Sequence, residues 1–384
     1  MKWEKKKLCE CTEYITDGDH QPAPKADKGV HFIKIKDIVN NQVSFDAQVY
    51  VPQEYYDNLP TERKPQKEDV LYTVVGSFGI PSYVQTDELF CFERNIALLH
   101  PNKDIEPRFL YYSLKNPAFY KGVEIVANGS AQKLIPLSKL KDLKISVPDK
   151  EAQRHIADIL SAYDDLIENN QRQIKLLEEA AQRLYKEWFV NLRFPGHENT
   201  KIVDGVPEGW RISSIYDVFD IKYGKNLPTS KITKAGQYPV YGASGVIGYY
   251  NEKNCDDYAT LVTSRGNGSG DVFRTHHKQS YITNNSFIAR RNNKNSFIEN
   301  EFTFQLFSNT DFKKLCTGSA QPQLTNSSIQ KIKILLPNRQ LIEKYQRCTI
   351  EMSEKQEALY QEQRALTQAR NRLLPKLMNG TVEV

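Results

Sequence analysis

The sequence lacks the features of a membrane or secreted protein. No apolar run approaches the ~20 residues that a membrane span requires, and the first ten residues, MKWEKKKLCE, lack the apolar core of a signal peptide. The six cysteines are scattered, and the close pair Cys9 and Cys11 has neither a zinc-ligand spacing nor a redox Cys-x-x-Cys spacing. We therefore expect a cytoplasmic protein with reduced thiols and no membrane partner.

Catalytic signatures are missing as well. Neither a Gly-x-Ser-x-Gly nucleophile turn nor a phosphate loop with its lysine occurs. The segment Asn116-Pro-Ala-Phe119 lacks the second proline of the amino-methyltransferase signature Asn-Pro-Pro-Phe/Tyr, and no glycine-rich strand–turn–helix precedes it, which favours a helix end. His276 and His277 have no cysteine or histidine partners at ligand spacing, which favours a solvated basic turn. We expect a non-catalytic chain without a metal or cofactor of its own.

The sequence does have an ordinary globular composition with a mild basic excess. Its 384 residues suggest two or three domains, and 52 Lys and Arg against 47 Asp and Glu leave a net charge of +5. This excess fits a polyanion partner or merely a solvated surface. Aromatic residues reach 11%, with 21 tyrosines, which suits both base-edge contacts and plain β-sheets.

An internal repeat is the strongest pattern in the chain. Residues 128–132 (NGSAQ) return as residues 317–321 (TGSAQ), 189 positions later, and residues 140–148 return at the same spacing. Upstream, Trp3 and Trp210 both open a segment but stand 207 positions apart, so the register slips there. The chain is therefore a divergent duplication of one globular domain followed by one helix.

Both helices carry a coiled-coil seam. In the first helix, residues that are mostly apolar recur in alternating steps of four and three; they are Ile156, Leu160, Tyr163, Ile167, Asn170, Ile174, Leu177, Ala181, Leu184 and Trp188. The second helix keeps the phase with more polar residues, at Tyr345, Thr349, Met352, Gln356, Leu359, Gln363, Leu366, Arg370, Leu373 and Leu377. A polar residue such as Asn170 within a seam sets register at a cost in stability. We expect the two helices to pair antiparallel.

Prolines and capping residues mark the boundaries. Pro148-Asp149 and Pro337-Asn338 each place a capping side chain after a proline. Residues 194–196 (FPG) and 379–380 (NG) end the helices. The chain then divides into a first globular domain at 1–148, a first long helix at 149–195, a second globular domain at 196–337 and a second long helix at 338–384.

The globular domains are predicted to mix α and β structure, so the whole chain is an internally duplicated α+β protein. Runs of β-branched and aromatic residues at 70–75 and 260–263 predict strands, and residues 30–35 alternate partly. Helices are predicted at 107–114 and 301–306.

Two kinds of loop hold the candidate binding residues. The glycine-rich stretch 265–270 (RGNGSG) leads into a predicted strand at 271–274, which favours a turn over a nucleotide-binding loop. The repeated Gly-Ser-Ala-Gln loops project a glutamine that could pair with adenine in the major groove, or they only connect a helix to the closing strand. A plain solvated surface would account for these polar side chains equally well. The candidate DNA contacts are Gln132, Lys133, Arg265, Asn267, Ser269, Arg274, Arg290, Arg291, Gln321 and Gln323.

The chain resembles the specificity subunits of type I restriction-modification systems over nearly its whole length. The most specific stretches are residues 151–160 (EAQRHIADIL) and 173–189 (QIKLLEEAAQRLYKEWF), supported by residues 193–198 (RFPGHE) and 207–210 (PEGW). The second helix departs from this pattern, because residues 343–345 (EKY) do not repeat the His-Ile-Ala of the first helix.

The resemblance implies that each globular domain is a target-recognition domain for one half of a split double-stranded DNA target. The paired helices would hold the domains apart and act as a ruler for the unspecified spacer. Two methylation (M) subunits, which carry S-adenosylmethionine, would dock on this chain, and restriction (R) subunits would join that core. The chain itself would be non-catalytic.

Since the two globular domains differ in sequence, we predict an asymmetric bipartite target. Two other interpretations stay open: a specificity subunit of a related system that is not type I, and a coiled-coil scaffold with two protein-binding domains. Salt dependence separates a DNA reader from a scaffold, because counterion release makes DNA affinity fall steeply as salt rises.

Overall fold

The duplication corresponds to two units in the computed structural model, which describes residues 3–127, 133–318 and 321–383. Unit 1 comprises Met1–Glu168 and Gln363–Val384, and unit 2 comprises Asn169–Glu362. Each unit therefore contains one globular domain and a part of both long helices.

The first half of the chain is a mixed α/β domain followed by a long helix. Its strands are β1 (Glu4–Lys7), β2 (Thr12–Asp17), β3 (Val30–Ile33), β4 (Ile38–Val39), β5 (Gln42–Val43), β6 (Tyr50–Val51), β7 (Val70–Thr73), β8 (Pro81–Tyr83), β9 (Phe90–Phe92), β10 (Ile96–Pro101) and β11 (Lys144–Val147). Its helices are α1 (Leu8–Cys11), α2 (Gln53–Asp57), α3 (Pro107–Lys115), α4 (Pro117–Val126), α5 (Leu137–Asp142) and the long α6 (Lys150–Tyr185), which continues as a π-helical turn (Lys186–Val190).

The second half repeats most of this order. Its strands are β12 (Ile202–Val203), β13 (Val206–Pro207), β14 (Arg211–Ser214), β15 (Phe219–Tyr223), β16 (Tyr238–Tyr241), β17 (Val246–Tyr250), β18 (Thr260–Thr263), β19 (Val272–Arg274), β20 (Tyr281–Ile282), β21 (Ser286–Arg291) and β22 (Lys333–Leu336). Its helices are α7 (Ile215–Val218), α8 (Asn300–Ser308), α9 (Asn326–Ile329) and the long α10 (Arg339–Met378).

The two larger sheets and the terminal ribbon of the two domains correspond strand by strand. A four-stranded antiparallel sheet has the order β2-β10-β7-β8 in the first domain and β15-β21-β18-β19 in the second. A three-stranded sheet has the order β6-β3-β9 in one and β17-β16-β20 in the other. In both, the first and last strands form an antiparallel ribbon (β1-β11, β14-β22), which returns the chain to the start of its long helix. The predicted internal duplication is confirmed.

The slip in the repeat lies between the second strand and the central strand. The first domain carries the β4-β5 hairpin and α2 there, and the described part of the second domain has no counterpart to them. Strands β2 and β15 therefore begin at residues 12 and 219, whereas β7 and β18 begin at residues 70 and 260. An insertion of this kind lengthens a surface connection without changing the core.

The predicted strands and helices form the core of each domain. All residues of β7 and β18 are buried, as their β-branched and aromatic composition predicts. Phe109 of α3 and Phe302 of α8 are fully buried against these sheets. The first core continues into α6 and α10 through residues such as Ile156 and Leu377, so each domain shares its core with the helices.

The long helices pair antiparallel in both units. In unit 2, the Tyr345 hydroxyl donates to the Ala181 carbonyl (3.1 Å), and the Asn170 amide donates to a Glu362 carboxylate oxygen (3.1 Å). In unit 1, Arg370 donates to Asp164. Every seam position predicted from the sequence is buried or half-buried. The fold class, an α+β protein with two long antiparallel coiled-coil helices, is confirmed.

The helix starts follow the predicted caps, and one helix end differs. Asp149 and Asn338 each accept a hydrogen bond from the backbone N–H three residues on (2.9 Å in both). The first helix stops at Val190, before the Phe194-Pro-Gly196 segment, and Leu192 adopts a left-handed conformation (φ 57°). Gly380 ends α10 at φ 72°, where a Cβ would lie 2.6 Å from the Trp3 ring nitrogen.

Among the described residues, no helix is both long and apolar enough to cross a membrane. The six cysteines, all of which lie in the described part of the chain, are unpaired.

Candidate nucleic-acid interface

The glycine-rich stretch of the second domain is the turn between two adjacent strands. The Gly270 amide donates to the Thr263 carbonyl (2.8 Å), and the chain continues directly into β19. Gly266 and Gly270 have φ values of 88° and 87°, which favour glycine. At Gly270 a Cβ would also lie 2.8 Å from the Lys313 backbone nitrogen. The segment is therefore a turn between two strands, as the sequence predicts, and it is not a phosphate loop at the start of a helix.

This turn is bonded to residues 322–324, which directly follow the second Gly-Ser-Ala-Gln loop. The Gly266 amide donates to the Pro322 carbonyl (3.2 Å), and the Leu324 amide donates to the Ser264 carbonyl (2.9 Å). Arg265 and Gln323 are paired antiparallel through their backbones, so the two residues lie side by side. Candidate residues from two separate loops therefore lie on one exposed edge. They are Arg265, Asn267, Gln321 and Gln323.

The first domain builds the same edge with different side chains. The Ile135 amide donates to the Val74 carbonyl (2.9 Å), and the Gly76 amide donates to the Lys133 carbonyl (3.2 Å), so the turn after β7 meets the segment before α5. Lys133 is exposed at this edge. Gln132, the other residue predicted in this loop, lies outside the described residues, together with 128–131.

The edge of the first domain also carries an aromatic platform that the sequence did not predict. The rings of Phe78 and Tyr120 are stacked (centroids 5.8 Å apart, interplanar angle 16°), and the Lys133 ammonium lies 5.5 Å from the Phe78 centroid. The Tyr120 ring fits here only because residue 79 is glycine, since a Cβ at that position would lie 2.5 Å from the ring. Half-buried rings beside a cation can stack on bases. The available signal was the Gly-Ser-Phe-Gly turn after a central strand, which matches the position of the glycine-rich turn in the second domain.

A basic cavity lies on the four-stranded sheet of the second domain. It has a volume of about 300 Å³ and is lined by four cations and the carboxylate of Asp220; the cations are Lys222, Lys225, Arg290 and Arg291. The excess positive charge suits phosphate contact. Tyr223 links the cavity to the exposed edge, because its hydroxyl donates to the Leu324 carbonyl (3.4 Å). Lys222 on β15 and Lys225 just after it were not predicted from the sequence, since lysines in such positions have the same local pattern as any solvated surface.

Two predicted DNA contacts need correction. The Arg274 guanidinium donates to Glu301 (2.6 Å) and Glu178 (3.2 Å) and lies 4.3 Å above the Phe304 ring, so it is engaged inside the protein. Ser269 is buried and accepts a hydrogen bond from the Cys316 thiol (3.4 Å). Neither side chain is directed to the exposed edge, because each is held by neighbouring side chains within the fold.

The histidine pair is not the solvated turn that the sequence favours. The His276 ring stacks on Tyr360 of α10 (centroids 3.9 Å apart), and burial together with the charge of Arg274 lowers its pKa to about 4. His277 Nδ1 is hydrogen-bonded to the Tyr241 hydroxyl (2.7 Å). Both rings therefore belong to packed contacts within unit 2. Within the described ranges, no group of three or more His, Cys, Asp or Glu side chains is arranged to hold a metal ion.

The methyltransferase-like segment is a helix cap. The Asn116 side chain accepts a hydrogen bond from the Ala118 amide (3.1 Å) at the start of α4, directly after α3 ends. This contact fully accounts for the Asn-Pro pair, since asparagine followed by proline is a favourable helix start.

Comparison with known proteins links the chain to one family. Residues 1–179 and 207–360 match the family model of the Type I restriction modification DNA specificity domain. The type I restriction enzyme MjaIX specificity subunit of Methanocaldococcus jannaschii is 25% identical (76% of this chain, 72% of the relative). The HindI specificity subunit of Haemophilus influenzae is 24% identical (92% and 94%). The crystal structure of the type I restriction-modification S subunit from M. genitalium shares the fold, with a TM-score of 0.58 at 19% identity (98% and 96% covered).

Proposed function

We propose that this chain, which belongs to the family of type I restriction-modification specificity subunits, binds double-stranded DNA through the exposed edge of each globular domain. One observation supports this most directly. In both domains, backbone hydrogen bonds join the turn after the central strand to the segment before the last short helix. This shared geometry presents polar, cationic or aromatic side chains together, as base reading requires.

The target is asymmetric and bipartite, because the two edges differ in chemistry. In the second domain, Arg265 can pair with guanine, and Asn267 or Gln323 with adenine, in the major groove. In the first domain, Phe78 and Tyr120 offer stacking instead of amide groups. Lys222 and Arg291 of the basic cavity contact phosphates, which position a domain without reading sequence.

Two methylation subunits bind this chain, and restriction subunits join the complex. Large apolar side chains on the long helices support such docking: Leu176 is 64% exposed, and Leu166 and Ile350 are also exposed. S-adenosylmethionine is held by the methylation subunits, and this chain is the non-catalytic subunit of a complex that acts on DNA in the cytoplasm.

Methylation mapping tests this function. The chain is expressed with its genomic neighbours, and host DNA is sequenced for N6-methyladenine. We expect a split, asymmetric methylated motif that disappears when this chain is deleted. The absence of any methylated motif, although the partners co-purify, would contradict the proposal and favour the protein-binding scaffold. Binding of the purified complex to DNA should also weaken steeply between 50 and 200 mM salt, by roughly 10³-fold or more if six or more phosphates are contacted.

A further inference from the structure

A buried charged network anchors the first domain to both long helices. Asp164 of α6 accepts hydrogen bonds from the Tyr112 hydroxyl (2.9 Å) and the Lys115 ammonium (3.3 Å), both on α3. It also accepts from Arg370 of α10. The Lys115 and Arg370 side chains are only 13% and 15% exposed. We call this set the unit 1 clamp.

A second network does the same for the second domain with other residues. Arg274 of β19 donates to Glu301 of α8 (2.6 Å) and to Glu178 of α6 (3.2 Å). The hydroxyl of Tyr360, on α10, donates to the same Glu178 oxygen (3.4 Å). The Glu301 side chain is 6% exposed and Arg274 is 17% exposed. This set is the unit 2 clamp.

Each clamp joins three elements at one point: the domain, α6 and α10. The two clamps carry opposite net charge, since the first sets two cations around one carboxylate and the second sets two carboxylates around one cation. The same three-way connection thus occurs in both units with unrelated residues.

Buried ion pairs contribute little net stability, because desolvation offsets most of the attraction. Their hydrogen bonds are directional, however, whereas apolar packing is not. Apolar packing at the shared core holds each domain against its helices, and the clamp adds contacts with a defined direction. A tilted domain would lose the directional hydrogen bonds that its clamp makes to α6, from Tyr112 and Lys115 to Asp164 or from Arg274 to Glu178.

We infer that the two clamps are positioning devices that fix the orientation of each domain on the helix pair, and hence the spacer length at which the two half-sites are accepted. Asp164 and Glu178 act here as positioning residues, since neither lies at an exposed edge. This inference rests on the proposed function, and it adds to that function a set of residues that determine spacer length without contacting DNA.

Site selection with the assembled complex tests the inference. DNA is selected from a library in which both half-sites and the spacer length vary, using the complex with its methylation partners. For Asp164→Asn and Glu178→Gln we expect unchanged half-site bases, a spacer distribution broadened by at least one base pair, and roughly tenfold weaker binding at the native spacer. The control variants Asp158→Asn and Glu179→Gln change carboxylates of α6 that lie outside both clamps, and they should select the wild-type spacer.

The outcomes are distinct. If the wild-type complex selects no sequence, the proposed function fails. If the wild type selects a split site and both clamp variants keep its spacer distribution, the inference is wrong; altered half-site bases at an unaltered spacer would also overturn it. A milder variant, Arg274→Lys, keeps the positive charge but cannot donate to Glu301 and Glu178 from two guanidinium nitrogens. It should broaden the distribution of selected spacer lengths less than Glu178→Gln does. It therefore provides a test even if a carboxylate variant folds poorly.

Discussion

The two globular domains share one strand order, yet they differ at the edge where each central strand turns. The second domain presents Arg265 and Asn267 there, and the first presents Phe78 stacked on Tyr120. The core strands behind these edges are entirely buried in both domains. The shared fold therefore depends on the buried strands, whereas the exposed edges differ in the chemistry of their side chains.

The largest expected effect concerns the junction between each domain and the helices, which is aromatic in unit 2 and aliphatic in unit 1. Tyr345 packs against Phe189 (5.2 Å between centroids) and Tyr185 (5.9 Å), whereas its counterpart in the repeat is Ile156. Tyr345→Ala should lower the free energy of unfolding of unit 2 by about 4 kcal/mol, and Ile156→Ala that of unit 1 by about 3 kcal/mol.

Hydrogen exchange resolved to α8 and α3 would measure both changes. The exposed Tyr249→Ala is the control and should change neither. Equal destabilisation of both units by either variant would show that the junctions are not separate.

Acid should weaken unit 2 through His276. Because burial lowers its pKa from 6.5 to about 4, the folded chain binds fewer protons than the unfolded chain between these values. The contribution to stability is therefore complete above pH 6.5 and is lost as pH falls towards 4, by up to roughly 3 kcal/mol. His276→Gln should flatten this part of the pH dependence of the free energy of unfolding of unit 2. Hydrogen exchange of α8 would measure it. The control His20→Gln changes an exposed histidine of unit 1 and should leave the pH profile of unit 2 unaltered. If His276→Gln also left it unaltered, His276 would not be the group responsible.

Single substitutions at the two edges should affect different half-sites. Arg265→Ala should cost about 1–3 kcal/mol of binding and relax selection at one half-site. Phe78→Ala should cost a similar amount at the other half-site through lost stacking. Competition binding with DNA carrying either half-site altered would measure both, with exposed Lys294→Ala as the control. If both variants relaxed the same half-site, the assignment of one edge to each half-site would be wrong.

The smallest expected effect is at Lys115 in the unit 1 clamp. Burial lowers the pKa of this ammonium to about 8, in spite of the nearby Asp164 carboxylate. The wild type should therefore gain stability between pH 8 and 10.5, since only the unfolded chain keeps this proton there. Lys115→Met should lose that rise and change stability by less than about 1 kcal/mol at pH 7, because Arg370 and Tyr112 still satisfy Asp164. Denaturant unfolding at pH 7 and pH 9.5 would check this, and a large loss at pH 7 would contradict it.

Features encoded by neighbouring residues could be predicted from the sequence. The helix caps at Asp149 and Asn338 lie where a proline followed by a capping side chain places them. The strands at 70–73 and 260–263 follow from runs of β-branched and aromatic residues. The repeat itself revealed the shared architecture, because similar segments in one chain adopt similar folds.

Features that depend on distant residues could not be predicted. Arg274 looked like a DNA contact because its partners, Glu301 and Glu178, lie 27 and 96 residues away. Nothing in the local pattern around His276 shows that it packs on Tyr360. Isolated cations and histidines have the same local appearance whether they are solvated or buried.

The sequence by itself thus determined the duplication, the long paired helices and the family, since periodicity and repetition are properties of the linear chain. Only the tertiary structure decided which side chains meet. In the folded chain, Arg265 pairs with Gln323 at one edge and Phe78 stacks on Tyr120 at the other. Arg274 is bonded inside the unit 2 clamp. The physical reason is that backbone pairing and burial act between residues far apart in the chain, where a polar group either reaches solvent or must find its partner inside.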